Sequence, residues 1–195
     1  MVASKGKLNF GIGINDADYV TNPSINGKRV KCPFYKVWQH MLMRCYSRAY
    51  QEKRPTYIEC SVCDEWLTFS NFKIWMKKKH WKDKQLDKDI LIEGNKVYSP
   101  GSCIFVSEQL NKFMNDHGAK RGDCLIGCYW NKRDNKYQSQ CRNPFSNKVE
   151  NLGLFTNEKT AHEAWRARKH ELSCKYAEQQ GDSRVANALK IRFSK

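Results

Sequence analysis

The sequence predicts an α+β protein in two parts, and three observations lead there. Phe34, Val37, Trp38, Met41, Leu42 and Cys45 recur at i, i+3, i+4, i+7, i+8 and i+11, the stripe of an amphipathic helix. Past residue 124, three short runs of strand-like composition precede one long helical segment. Between these regions, His117-Gly118-Ala119-Lys120-Arg121-Gly122-Asp123 carries two glycines and no apolar period, so it reads as a linker. The expected parts are therefore 1–116 and 124–195.

Along the chain, residues 1–30 are rich in Gly, Asn and Lys and read as an irregular arm, most simply draped over the core. A helix starts at Pro33. After Pro55, residues 56–63 read as a short strand, and Asp64-Glu65-Trp66 turns into a second helix that gathers Phe69, Phe72, Trp75 and Met76 on one side. It ends in Lys77, Lys78, Lys79, His80, Trp81 and Lys82. Cations there complement the negative end of the helix dipole and are equally suited to phosphate. A helix over 107–114 turns Leu110 and Phe113 inward. Strands are expected at 125–130, 136–142 and 150–155. Thr156 then offers an N-cap to a long helix that packs Ala161, Trp165, Leu172 and Tyr176 on the sheet, and a short helix covers 185–191.

A formal net charge of +15 on 195 residues, with a pI near 9.5, attracts polyanions and makes nucleic acid the leading partner. A membrane is disfavoured, because no apolar run is long enough to span one and no helix pairs a basic face with a broad apolar face. Met1 to Gly6 lead into no apolar signal segment, so a cytoplasmic protein is expected. Nine cysteines in that setting are reduced thiols or metal ligands rather than a disulfide framework.

The most informative segment runs from Leu86-Asp87-Lys88-Asp89-Ile90 through Gly94-Asn95-Lys96-Val97-Tyr98-Ser99-Pro100 to Asn111. It reads as a strand, a loop and a helix start bearing an acid, a cation and an amide. Asp87 and Asn111 offer the oxygen ligands that a hard divalent cation takes. Carboxylates at turns are also common without any ligand. Cys60 and Cys63 have the spacing that presents two thiolates to one zinc, with Cys45 and Cys103 on flanking elements and Cys32 or His40 as substitutes for Cys45. Buried free thiols are the competing account.

From about Tyr35 to Asn111 the chain resembles bacteriophage HNH-type endonucleases of the free-standing or homing kind. The resemblance rests on residues 38–46, Ile58 to Trp66 with Phe69 and Phe72, Leu86-Asp87-Lys88-Asp89, and Tyr98-Ser99-Pro100 with Cys103. It implies a ββα-metal (His-Me finger) module in which Asp87 and Asn111 hold Mg2+ or Mn2+ against the scissile phosphate. Lys88 stands where the family's orthodox members have the histidine that activates water. A lysine is protonated at neutral pH unless strongly desolvated, so Tyr57, Tyr98 and His80 become the candidate bases and Lys88 a phosphate-holding cation.

Residues 127–165 resemble the AP2-type DNA-binding domain, through Gly127-Cys128-Tyr129-Trp130, Lys136 to Gln140, Leu152 to Thr156, and a helix with Ala161, Ala164 and Trp165. The resemblance implies a three-stranded sheet in the major groove, braced by the helix, with Trp130, Lys132, Arg133, Gln138, Gln140 and Arg142 exposed toward DNA. Arginine pairs with guanine, glutamine with adenine, and lysine with phosphate. Lys77, Lys78 and Lys79 add backbone contacts. The expected function is a DNA endonuclease of homing or nicking type acting on double-stranded DNA. One such site handles one strand, so a double-strand break takes a homodimer or sequential nicks. The alternatives are a catalytically silent DNA-binding protein on the same scaffold, and a zinc-stapled module that binds RNA or a protein.

Overall fold

The computed structural model describes residues 8–115 and 123–194. The fold is α+β, with small sheets, in two compact units, Met1–Ser107 and Glu108–Lys195. The helix at 108–114 thus groups with the second unit, where the sequence had placed it in the first part. Most of the expected linker, residues 117–122, lies outside the described residues.

In the first unit, β1 (Ser24–Ile25) and β2 (Lys28–Arg29) form a hairpin whose turn, Asn26-Gly27, has φ of 51° and 75°. Both central residues are left-handed, as the tightest hairpin turns require, and Asn-Gly is the pair that tolerates this best. Helix α1 (Pro33–Tyr46) begins on a proline, whose fixed φ suits a first turn. It buries Tyr35, Trp38, Met41, Leu42 and Cys45, leaving Phe34 and Val37 at the edge of the core. The short α2 (Arg48–Lys53) follows, and Gln51 Nε2 donates to Cys45 O at 2.7 Å, satisfying a carbonyl at the end of α1.

The expected strand over 56–63 is mostly turn. After Pro55 the chain closes successive short bonds, Ile58 N to Pro55 O and Cys60 N to Tyr57 O, and β3 is confined to Ser61–Val62. A single helical turn at Asp64–Leu67 leads into α3 (Phe69–Lys77). Trp38 and Trp66 are fully buried, with Trp38 Nε1 donating to Trp66 O at 2.7 Å, and the rings of Tyr35, Trp38 and Phe69 pack within 5.3–5.6 Å of one another. The arm drapes on this core, as expected: Ile14 N donates to Leu67 O at 2.8 Å. Gly13 lies so close to α1 that a Cβ there would sit 2.3 Å from Leu42 Cδ1.

Two two-stranded sheets complete the unit. β4 (Gln85–Asp87) pairs antiparallel with β6 (Ile104–Val106), Asp87 opposite Ile104. β5 (Val97–Tyr98) runs parallel to β3, Val62 opposite Tyr98.

The second unit opens with α4 (Glu108–Met114), which buries Leu110 and Phe113. β7 (Cys128–Asn131), β8 (Lys136–Arg142) and β9 (Val149–Phe155) form an antiparallel sheet in that order. Along its back runs α5 (Glu158–Glu178), with Ala161, Trp165, Leu172 and Tyr176 buried. Its N-cap is Asn157, one residue later than the expected Thr156; the amide oxygen accepts from Lys159 N and Thr160 N, two donors that no helical carbonyl reaches. Helix α6 (Ser183–Arg192) folds back on α5, where Ser173 Oγ donates to Leu189 O at 2.7 Å.

Gly127 ties sheet to helix. Its φ is +85°, and a Cβ would fall 1.9 Å from Trp165 Cγ, so the indole lies directly on bare backbone. Gly127→Ala should lower the stability of the second unit by about 2–4 kcal/mol, combining overpacking with left-handed strain. Urea unfolding followed by far-UV circular dichroism checks this, with Gly181→Ala, where a Cβ meets nothing within 4 Å, expected to stay near wild type.

Candidate functional site

Asp87 ends β4 and is largely buried. Its Oδ1 accepts from Asp89 N at 2.9 Å and Ile90 N at 2.8 Å, so the carboxylate folds the turn that follows it. Burial, and then the neighbouring Asp89, hold its carboxyl above the usual carboxylate range despite those two N–H donors. Both bonds fall on Oδ1, which leaves Oδ2 as the oxygen suited to a cation. Asn111 lies on α4 in the second unit.

Lys88 is directed into its own loop. Only 5% exposed, it donates from Nζ to Asn95 O at 2.7 Å, and it lies 3.1 Å from Asp89 Oδ2. Asn95 completes the loop, donating from Nδ2 to Lys88 O and Val97 O at 2.8 and 2.7 Å. The ammonium therefore anchors residues 88–97 and is not presented to solvent as the expected phosphate-holding cation.

The candidate bases differ in kind. Tyr98 is 2% exposed, with its hydroxyl accepting from Arg44 Nη1 at 3.3 Å; burial raises its phenol so far that it keeps its proton. Burial also raises Tyr57, against the pull of Arg44. His80 is exposed just beyond the end of α3. There Lys78 N donates to the carbonyls of Met76 and Trp75, and Lys79 Nζ stands 5.4 Å from the Trp75 ring centre, so part of the Lys77–Lys79 cluster closes the helix end.

Cys45, Cys60 and Cys103 are buried thiols of the aromatic core, and Cys63 is half-buried at its edge. Burial pushes Cys45 and Cys103 up to about 12 and raises Cys60 and Cys63. Among the described residues, no three His, Cys, Asp or Glu side chains form a group able to hold a metal ion.

In the second unit, Gln138, Gln140 and Arg142 alternate along β8 with Ser139 and Cys141. The latter two are buried toward α5, so the former three point to the opposite face. Tyr129 and Leu154 flank Gln138 in register and are about two-fifths exposed, putting apolar surface beside the amides. Trp130 does not join them. It pairs with Tyr137 on the other face, with ring centres 4.9 Å apart. Lys132 and Arg133 occupy the β7–β8 turn, which Asn131 Oδ1 shapes by accepting from Arg133 N and Asp134 N. Arg133 also pairs with Asp134 at 3.3 Å.

Sequence reasoning missed three charged groups. Arg168 on α5 grips Glu150 on β9 through two bonds of 2.7 and 3.1 Å, and Asn143 adds a third at 2.8 Å. Lys169 is half-buried against Phe113, donating to its carbonyl at 2.6 Å, and burial lowers the amine to about 8. The third is a set of cations gathered between α1 and β4. Separation in sequence hid all three, although Lys36, His40 and Arg44 recur at a spacing of four.

Comparison of the chain with family models, with curated proteins and with solved structures returns no match.

Because Asp87 is an acceptor within its own turn, Asp87→Ala should destabilise the first unit by about 1–2 kcal/mol, whereas Asp87→Asn, which keeps an oxygen at Oδ1, should cost much less. Thermal melts of the two variants decide it; equal losses would show that charge, not acceptance, is what the turn needs. The hydrogen bonds from Arg168 and then Asn143 hold the Glu150 carboxyl at about 2. A depressed carboxyl stabilises the fold above the ordinary carboxylate range and loses that effect as pH falls toward 2. The melting-temperature gap between wild type and Glu150→Gln should therefore be widest above pH 5 and shrink steadily in acid.

Proposed function

We propose that the chain is a DNA endonuclease of homing or nicking type, in which the second unit reads double-stranded DNA and the Asp87 region supplies the cutting centre. The observation that carries this reading is the outward row Gln138, Gln140 and Arg142 on a regular strand backed by a helix. Amide and guanidinium groups spaced along one strand match the donor and acceptor edges of the major groove. A net charge of +15 provides the sequence-independent attraction on which such reading depends.

The cutting centre draws support from the chain order of β4, β6 and α4, the order of a ββα-metal module, and from the strand-end carboxylate Asp87. The oxygen donor at Asp87 suits Mg2+ or Mn2+. Such a cation, when bound, stabilises charge on the phosphate and its leaving oxygen. Asp87 holds its position through the two turn N–H groups, and Lys88 and Asn95 hold the loop beside it. Double-strand cutting would require two such centres, as in a homodimer, or two successive nicks.

A second reading is a silent binder of duplex DNA, favoured by one observation. At the family's base position stands Lys88, already engaged with Asn95 and Asp89.

Supercoiled plasmid incubated with Mg2+ or Mn2+ should become nicked or linear, and Asp87→Asn should slow this by about 100-fold or more, as loss of a metal-holding carboxylate implies. Tight duplex binding without cleavage under either metal would favour the silent binder. In a gel-shift series, Arg142→Ala should relax sequence discrimination by about 1–3 kcal/mol. Absence of duplex binding, or tighter binding to RNA, would remove both readings.

A further inference from the structure

A groove of about 380 Å³ runs between α1 and the start of β4. Val37, Met41 and Leu86 supply its apolar lining, and Lys36, His40, Arg44 and Lys84 its basic lining. Lys36, His40 and Arg44 stand four residues apart on one flank of α1, and Lys84 joins them from the segment that leads into β4. No carboxylate lines the groove, and among the described residues none pairs with any of the four. Elsewhere Arg48, Lys112, Arg133, Arg168 and Arg184 each have an acidic partner within 3.4 Å. Three uncompensated positive groups, Lys36, Arg44 and Lys84, repel each other around one concavity, and an anion relieves that repulsion.

Arg44 is set for such a contact. Its Nη1 donates to Leu86 O at 3.4 Å and to Tyr98 OH at 3.3 Å, two long bonds that orient the guanidinium without saturating it. His40 reports the local field. Burial first, then Arg44, Lys31 and Lys36, hold its imidazole below the ordinary histidine value, so the empty groove favours the neutral ring.

We propose that this groove binds a phosphate group, supplied by the backbone of DNA, with Lys36, Arg44 and Lys84 as cationic contacts and His40 taking up a proton as the anion enters. The source of the phosphate rests on the DNA-binding reading; the groove itself does not. An anion beside His40 offsets the field of Lys31, Lys36, Arg44 and Lys84, so binding and protonation reinforce each other and affinity rises as pH falls. Because the contacts are to phosphate, the groove adds affinity and orientation without sequence preference.

The full chain is titrated by NMR, with the His40 ring signal assigned by its loss in His40→Gln. Inorganic phosphate and a short DNA duplex are added in separate arms. The His40 pKa should rise in both. In parallel, Lys36→Gln/Lys84→Gln should make the dependence of log K for duplex on log salt shallower by about 1–2, near the slope lost per phosphate contact. The exposed pair Arg48→Gln/Lys53→Gln, on α2, should change it less. Duplex binding that leaves the His40 signal and the salt slope of the groove variant unchanged overturns the groove while sparing the DNA reading. A His40 response to inorganic phosphate in a chain that binds no duplex supports the phosphate site and overturns DNA as its source.

Discussion

Strands of two or three residues cannot satisfy the backbone they leave between them, and the first unit is organised around that shortage. Among the described residues its sheets are the brief pairs formed by β1 to β6, so many N–H and C=O groups need partners from side chains. Asp87 takes two amide hydrogens, Asn95 gives its own to two carbonyls, Gln51 reaches across the end of α1, and Lys88 carries its ammonium inward to a carbonyl. These are polar residues in structural positions. The aromatic core around Trp38 and Trp66 supplies the burial that makes such bonding necessary, since an unpartnered polar group inside it would cost about 1–3 kcal/mol.

The same economy shapes the charge distribution. The chain has 35 Lys and Arg against 20 Asp and Glu, and several of those acids are engaged locally. Asp87 closes a turn, Asp182 caps α6, and Glu150 holds Arg168 at the back of the sheet. Acids held in turns, caps and ion pairs leave the cations of the α1–β4 groove and of the outward β8 face without acidic partners among the described residues. A field of one sign then follows from where the acids are held as much as from how many there are.

Periodic features were legible in the sequence and singular ones were not. The stripe of α1, the inward Leu110 and Phe113, the span of β8 and the packing residues of α5 all follow from repeated apolar positions, and the structure has them there. The hairpin at Asn26-Gly27 was not read from an arm expected to be irregular, because its Gly- and Asn-rich surroundings masked a two-residue turn signal. Residues 56–63 failed because β-branched and aromatic composition suggests a strand whether or not a partner strand is within reach. The inward Lys88 had no signal at all, because a buried lysine depends on a carbonyl seven residues away. Trp130 is exposed, as expected, but the face it takes was not legible, because the register of β7 against β8, which no single strand encodes, decides it. The α1–β4 groove joins residues far apart in the chain, and only the fold brings Lys84 opposite His40.

The two units set their functional groups by different means, and this governs how each responds to substitution. Gln138, Gln140 and Arg142 project from a seven-residue strand whose register is fixed by neighbours on both sides. Their side chains can change while the backbone stays in place, so the proposed DNA contact and folding are separable there. Asp87 belongs instead to a loop that its own oxygen helps to shape, beside a lysine whose charge is internal. Removing that carboxylate removes a structural acceptor together with a candidate ligand. Only a replacement that preserves the acceptor separates the two roles, because it leaves the turn closed while withdrawing the negative charge that a cation would need.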